Sequence, residues 1–245
     1  MERLYTIGKG KLLFKPEGEA NYRDMGNCPD FKITISTEKK EHFSSRSGIQ
    51  VKDKEVVIKQ TASGSFTLDE LVDYNLRAFI MSAASTVQDQ TSGTATGQVV
   101  TSAHDRWIYL GKKMISNLVV KDAAETKTYV LGVDYIADLK AGLIMCLSTG
   151  EIVDGQSLKI SYAYAAITTK KMGAATTTTI QGHVWFVGDP PVGKVIDIKG
   201  YAALSPNGDL SLIGEDWTTF GFNMDFILHN DYAGLFELID RGTVV

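Results

Sequence analysis

The chain has 245 residues, of which 44% are hydrophobic and 22% charged, with a formal net charge of -4 and a pI near 5.6. That length holds one good core, or one core plus a small second domain, and the composition excludes general disorder. The mild acidity excludes a protein that grips nucleic acid over its whole surface, though not one that lets DNA pass by.

The opening MERLYTIGKGK lacks the apolar stretch of a signal peptide, and no run of about 18 apolar residues is present to span a membrane. These features predict a protein made and kept soluble in the cytoplasm. Tyr22 to Leu71 reads as one continuous device. A turn at Gly26, Asn27 and Pro29 leads to an alternating strand from Phe31 to Glu38, in which Ile33 and Ile35 face the core. A charged loop from Lys39 to Lys54 follows, then a second strand from Glu55 to Thr61. Thr67 and Glu70 have the spacing of a capping box, with Asp69, Glu70 and Asp73 placing negative charge in a first helical turn. A helix is predicted from about Leu68 to Met81, burying Leu71, Val72, Leu76, Phe79 and Ile80 on a sheet.

Ser82 to Ser102 is rich in Ser, Thr, Ala, Gly and Gln and reads as a linker or mobile loop. Short apolar runs then predict strands at Trp107–Leu110, Asn117–Lys121, Thr128–Leu131, Asp134–Ala137, Leu143–Leu147 and Ser157–Tyr164. The Thr- and Lys-rich tract Ile167–Thr179 reads as a second linker, or as an extended strand with one face in water. Further strands are predicted at Ile180–Val187, Val195–Ala203 and Leu210–Ile213, with a hairpin turn at Asn207-Gly208. Phe220–Leu228 alternates as a half-buried strand, and a short apolar segment, Gly234–Ile239, closes the chain.

Candidate chemistry is sparse. Gly188 to Lys194 matches most of a phosphate-binding loop, but Pro190 and Pro191 supply no N–H donors, Val195 stands at the hydroxyl position, and a strand follows where a helix is needed. Gly8, Lys9 and Gly10 imitate a dinucleotide fingerprint, yet Leu13 replaces the third glycine. His42, His104, His183 and His229 show no metal spacing and read as structural or surface residues. Cys28 and Cys146 suggest neither a disulfide framework nor a zinc site and read as unpaired thiols. Glu215 and Asp216, read as strand neighbours, point to opposite faces. Trp107, Tyr109, Tyr162 and Tyr164 are candidates for an aromatic binding face, and core packing explains them equally well. Nothing here indicates an enzyme or a cofactor.

The runs YRDMGNCPDFKITIST, EHFSSRSGIQVKDKEVVIKQ and FTLDEL resemble the major tail tube protein of long-tailed, siphovirus-type bacteriophages. GKGKLLF, GVDYIADLKAGLI, HVWFVGDPPVGK and LSPNGDLSLIG extend the resemblance in order over about half the chain. It implies a mainly β fold, a tail-tube-type β-sandwich or barrel with one flanking helix. The strand pattern is read the same way: residues 1–90 and 166–245 form a sandwich, interrupted by a β-rich block, 91–165, that is either a separate domain or extra strands of the same sandwich. The resemblance also implies hexameric rings that stack head to tail into the conduit for genome ejection, within a virion assembled in the bacterial cytoplasm. The implied partners are further copies of the chain, tail terminator, tape measure and tail-tip proteins, and double-stranded DNA that passes without specific binding. No membrane is involved. Within this expectation Lys39, Lys40, Glu41, His42, Phe43, Arg46, Lys52, Asp53 and Lys54 form a ring-stacking loop, and Lys32, Thr34, Ser36, Glu38, Lys59 and Thr61 are candidates for the lumen wall. A β-sandwich module that binds carbohydrate or protein, and the tube protein of a contractile tail or bacteriocin-like particle, are the alternatives.

Overall fold

A computed structural model describes residues 5–46 and 48–244. The chain is mainly β, with sixteen strands and one helix among the described residues, and it divides into two compact units. One comprises residues 1–85 with 172–245, and the other is the insert 86–171. The insert therefore runs slightly wider than the predicted 91–165.

In the first unit, β1 (Gly10–Pro16) pairs with the two-residue β2 (Arg23–Asp24) and with β13 (Ile180–Gly188). β13 lies along one edge of β14 (Gly193–Asn207). The opposite edge of β14 is shared end to end. Gly193 to Gly200 pair with β16 (Phe236–Val244), and Tyr201 to Asn207 pair with β15 (Phe220–Ile227). β15 continues to β4 (Val51–Leu68) and β4 to β3 (Asp30–Ser44), which ends the sheet. All of these pairs are antiparallel.

The change from β16 to β15 occurs at Gly200. The rings of Phe226 and Phe236 meet there with centroids 5.2 Å apart, and a Cβ on Gly200 would stand 2.8 Å from the Phe226 ring. Period-2 alternation puts Phe66, Leu68, Ala202, Leu204, Phe220, Phe222 and Met224 on the inner face with Leu12, Phe14 and Val184. Phe66 stacks on Phe222 with centroids 5.0 Å apart, and Phe31 of β3 stacks on Phe186 of β13, also at 5.0 Å. The sheet therefore folds back over its own core.

The helix α1 is short, Asp73–Phe79, and Val72 at its start makes no side-chain cap. The predicted capping box does not form because Thr67 remains in β4, opposite Asp30 and Gly221. Extending the strand buries Phe66 and Leu68, which is worth about 1.5–3 kcal/mol per side chain against about 1 kcal/mol for a cap. The freed carboxylates take another role. Asn27 donates from its backbone N–H to Glu70 Oε1 (3.1 Å) and from Nδ2 to Asp69 Oδ2 (2.6 Å), pinning the turn before β3. Gly26 adopts φ +82° there and lacks the Cβ that would meet Glu70 Oε2 at 2.6 Å. The helix buries Asn75 and Ala78 and packs Phe79 edge-on against Phe220 and Phe222, while Leu71 and Val72 are exposed. Buried Asn75 donates from Nδ2 to the Met25 carbonyl at 2.8 Å.

The insert begins and ends with β5 (Ser85–Gln90) and β12 (Ile167–Met172), which pair as a two-stranded ribbon. β6 (Gly93–Thr101), β11 (Ser157–Tyr164) and β8 (Ile115–Asp122) form one three-stranded sheet; β7 (Trp107–Tyr109), β10 (Leu143–Cys146) and β9 (Tyr135–Asp138) form another. Their shared core includes Leu110, Val120, Tyr135, Ile144, Ile152, Leu158 and Ile160. The expected linker at Ser82–Ser102 is largely strand, because its Thr, Val and Gln positions find ladder partners in β11 and β12. The strand expected at Thr128–Leu131 does not form. Thr128 and Leu131 make only isolated bridges, and the Val130 N–H donates to Asp134 Oδ2 at 2.8 Å.

β14 and β15 still pair at Asn207 and Gly221, but residues 208–219 form an irregular loop between them, in place of a two-residue hairpin. The strand expected at Leu210–Ile213 is therefore absent. Thr218 and Ser211 hydroxyls close this loop locally by donating to the Ser211 and Ile213 carbonyls. Glu215 and Asp216 belong to it as well, and not to a strand.

Gly200→Val forces a branched side chain into the Phe226–Phe236 contact and is expected to destabilise the first unit by about 1–3 kcal/mol, read as a lower urea midpoint at unchanged slope. In the insert, buried Asp134 accepts N–H bonds from Val130 and Glu151, both at 2.8 Å. Asp134→Ala strands both donors and is expected to cost roughly 2 kcal/mol or more, read by the same denaturation experiment.

Candidate assembly surfaces

Beyond Ala62 the β3–β4 hairpin leaves the body of the sheet. Every residue from Val51 to Thr61 is exposed, as is every residue from Thr34 to Phe43. At about 3.3 Å per residue this is an arm roughly 35 Å long. The sixteen-residue loop expected from Lys39 to Lys54 is thus mostly strand: Lys39 to Ser44 pair with Val51 to Val57, and Ser45, Arg46 and Gly48 to Gln50 lie beyond them at the tip.

The charges that suggested a loop pair with one another across the strand ladder. On one face Lys39 pairs with Glu55, and Lys52 bridges Glu41 and Glu55. On the other, His42 Nδ1 lies 2.5 Å from Asp53 Oδ1, with Lys40 opposite Val56 and Lys54 opposite His42. Phe43 sits opposite Lys52 near the tip, and Arg46 is at the tip itself. Two register shifts, at Glu38/Lys39 and His42/Phe43, leave Ile58 and Asp53 as the extra residues.

Apolar side chains remain on this arm with nothing over them. Ile35 is 64% exposed, Ile58 56%, Val57 48% and Val56 47%. Ile35 was expected in the core; only Ile33 reaches it, because the body ends between the two. A two-stranded ribbon without a core is marginal in water, and β-branched residues on an exposed ribbon invite pairing or packing with another chain.

The six residues proposed for a lumen wall share one sheet face. Lys32, Thr34, Ser36 and Glu38 on β3 stand opposite Ser65, Ser63, Thr61 and Lys59 on β4. The same face continues through Asn223 and Asp225 of β15, opposite Ser65 and Ser63, to Ser205 of β14. Ser63, Ser65, Ser205, Asn223 and Asp225 were not singled out from the sequence, although the alternation within β15 places Asn223 and Asp225 away from the core. The face is a field of hydroxyls and amides with two lysines, Glu38 and Asp225, and Lys32 is paired with Asp30 at 2.7 Å. It carries no arginine.

Other surfaces are apolar. The loop 208–219 exposes Leu212 (74%), Ile213 (96%) and Trp217 (93%). An open groove of about 320 Å³ is lined by Phe31, Ile33, Phe186, Ile196, Ile198 and Leu238, beside the end strands β3 and β16. Within the insert, Trp107 and Tyr109 lie half-exposed on the outer face of β7, whereas Tyr162 is buried, with its hydroxyl 2.7 Å from Gln98 Oε1 and the Leu110 carbonyl. Tyr164 is half-buried, with Lys112 over its ring.

In the phosphate-loop resemblance at Gly188–Lys194, Pro190 and Pro191 have no N–H and three other N–H groups are already engaged. The N–H of Gly188 donates to Asp197, that of Asp189 to the Lys9 carbonyl, and that of Lys194 to Thr6 Oγ1. Asp197 is also held by Arg241, which ties β16 to β14. Cys28 and Cys146 are free thiols, and burial pushes Cys28 up to about 11. His104 Nε2 lies 2.7 Å from the Ile152 carbonyl. The remaining two histidines differ from expectation. His183 on β13 and His229 after β15 are brought together with Asp231, their ligand atoms within 4.8 Å of one another. Antiparallel pairing of β13, β14 and β15 creates this proximity, and sequence spacing holds no trace of it. Burial lowers the affinity of His183 for a proton, with Lys15 and His229 adding to the effect.

Residues 5–233 match the family described as protein of unknown function UCP028589. The chain belongs to that family. The match spans both units and stops short of β16. No curated protein matches the chain. No described helix is long and apolar enough to cross a membrane.

Lys39 and then Lys52 hold the Glu55 carboxyl down from its ordinary 4.5 to about 2. A lowered carboxylate contributes order above its unfolded value and loses it as the pH falls through its folded value. Amide exchange in the arm, corrected for its intrinsic pH dependence, is therefore expected to accelerate relative to the sheet core between about pH 4.5 and 2, and added salt should produce part of the same change at neutral pH.

Proposed function

We propose that this protein is a non-enzymatic structural subunit that assembles with copies of itself into stacked rings, forming the tail tube of a siphovirus-type phage. The observation that carries this reading is the naked arm. A ribbon about 35 Å long, with apolar residues on a coreless stem, gains a packed environment when it lies against a neighbouring copy. Among the described residues the sheet ends on β3 and β16 pairs with β14 alone, so both leave backbone donors and acceptors available for pairing. Closing copies into a ring satisfies such edges, and head-to-tail stacking generates an open filament whose length another protein must set.

The polar face suits the wall of a channel. Hydroxyls, amides and balanced charge without arginine give passing phosphates no strong anchor, and each held phosphate would slow transit. DNA then passes without specific binding, while terminator, tape measure and tail-tip proteins set the ends and the length. The working location is the virion tail, reached by assembly in the host cytoplasm. The ordered run of tail-tube-like segments from Gly8 to Gly214 is a second, independent support.

Exposed Trp107 and Tyr109 favour one alternative, an insert that binds carbohydrate or protein from the outer surface. A tube within a contractile particle shares these features and differs by requiring a sheath.

Electron microscopy of the purified protein across a concentration series, with its mass in solution, tests the reading. Hollow tubes or six-fold rings are expected. A monomer that stays monomeric even after a tail-tip extract is added would overturn it in favour of the binding module. Replacing residues 39–58 with Asn-Gly joins Glu38 to Lys59, which already face each other, through a favoured two-residue turn. That variant is expected to fold with stability within about 1 kcal/mol of the parent and to form no tubes. Normal tubes would remove the arm from the assembly mechanism.

A further inference from the structure

We propose that His183, His229 and Asp231 form a binding site for a divalent transition metal of the zinc class, which fastens the loop after β15 onto the outer face of β13 and β14. Two imidazoles and a carboxylate are a donor set suited to such an ion, with a fourth position left for water. His229 Nδ1 and Asp231 Oδ2 lie 3.6 Å apart, near the separation of about 3.3 Å that two donors reach at bonds of about 2.0–2.1 Å in a tetrahedral site. His183 brings its ring within 4.8 Å of both, so a small shift of the loop closes the set.

The surroundings fix the rings as a metal site requires. Tyr201 stacks on His229 with centroids 4.7 Å apart and planes 22° from parallel, and meets His183 edge-on at 5.3 Å. The Tyr232 hydroxyl lies 2.8 Å from His183 Nδ1. With the Tyr232 oxygen accepting from His183 Nδ1–H, the Nε2 lone pair is free for the metal. This is the outer-shell support that orients ligating histidines. His229 Nδ1 receives only a long contact of 3.3 Å from the Asp231 N–H, which a metal readily displaces. The consequence for the fold is local. The loop that carries His229, Asp231 and Tyr232 joins β15 to β16, so a bound ion would clamp both strands where they meet on β14. None of this rests on the tube reading.

The test titrates the full chain with Co²⁺, read by visible absorption, and with Zn²⁺, read by calorimetry. One equivalent per chain with tetrahedral cobalt bands is expected. His229→Ala and Asp231→Asn, both in an exposed loop, should each weaken binding at least about tenfold, and Tyr232→Phe by about tenfold through loss of the outer-shell bond. His42→Ala and His104→Ala should leave it unchanged. Circular dichroism and the unfolding midpoint without metal confirm that each variant folds. Absence of stoichiometric binding would overturn the site, as would binding that survives both His229→Ala and Asp231→Asn.

Discussion

One strand edge carries two partners in this protein, and the first unit is built around that arrangement. β14 receives β16 along Gly193–Gly200 and β15 along Tyr201–Asn207, while β13 occupies its other side. Two strands can abut on one edge only where their side chains do not collide with the ladder between them. Gly200 supplies that space for Phe226 and Phe236. From this junction the sheet extends through β15 and β4 to β3 and folds back until Phe31 reaches Phe186. The loop from β15 to β16 is pulled over the outer face by the same geometry, which is why two distant histidines and an aspartate meet there.

A second constraint is the difference between the two ends of the β3–β4 hairpin. Within the body, Phe66 and Leu68 are buried and the pairing is held by the core. Outside it, the same two strands continue with only each other and a run of exposed ion pairs, each worth at most about 1 kcal/mol in water. A ribbon of this length is weakly determined as an isolated object and well suited to be completed by contact with another chain. Under the proposed function, the polar face of the sheet, the open edges and the arm would serve as interior wall, lateral seams and axial contact, with the polar face running out along the base of the arm.

Much of the strand pattern was legible in the residues. Ser157–Tyr164 matches β11, and the alternation from Phe220 predicts β15 with Asn223 and Asp225 outward. Local signals failed where tertiary pairing outweighed them. Thr67 and Glu70 have capping-box spacing, but burial of Phe66 and Leu68 keeps Thr67 in a strand. The Ser/Thr/Gly tract after the helix lacks the composition of a core, yet its strands are stabilised by backbone ladders to β11 and β12 that composition does not reveal. The charge-rich stretch Lys39–Lys54 resembles a solvated loop, because nothing in the order of residues shows that Glu55 stands beside Lys39 and Lys52.

The sequence by itself determined that the chain is mainly β, with a run of short strands in its middle, and that Lys32, Thr34, Ser36 and Glu38 turn to one side of their strand. These follow from period-2 alternation and composition, which act along a few neighbouring residues. Only the tertiary structure decided the length of the arm, the change of strand partner at Gly200 and the meeting of His183 with His229 and Asp231. Each depends on strand register between segments far apart in the chain, and register is set by the burial of a whole face at once, not by any local run of residues.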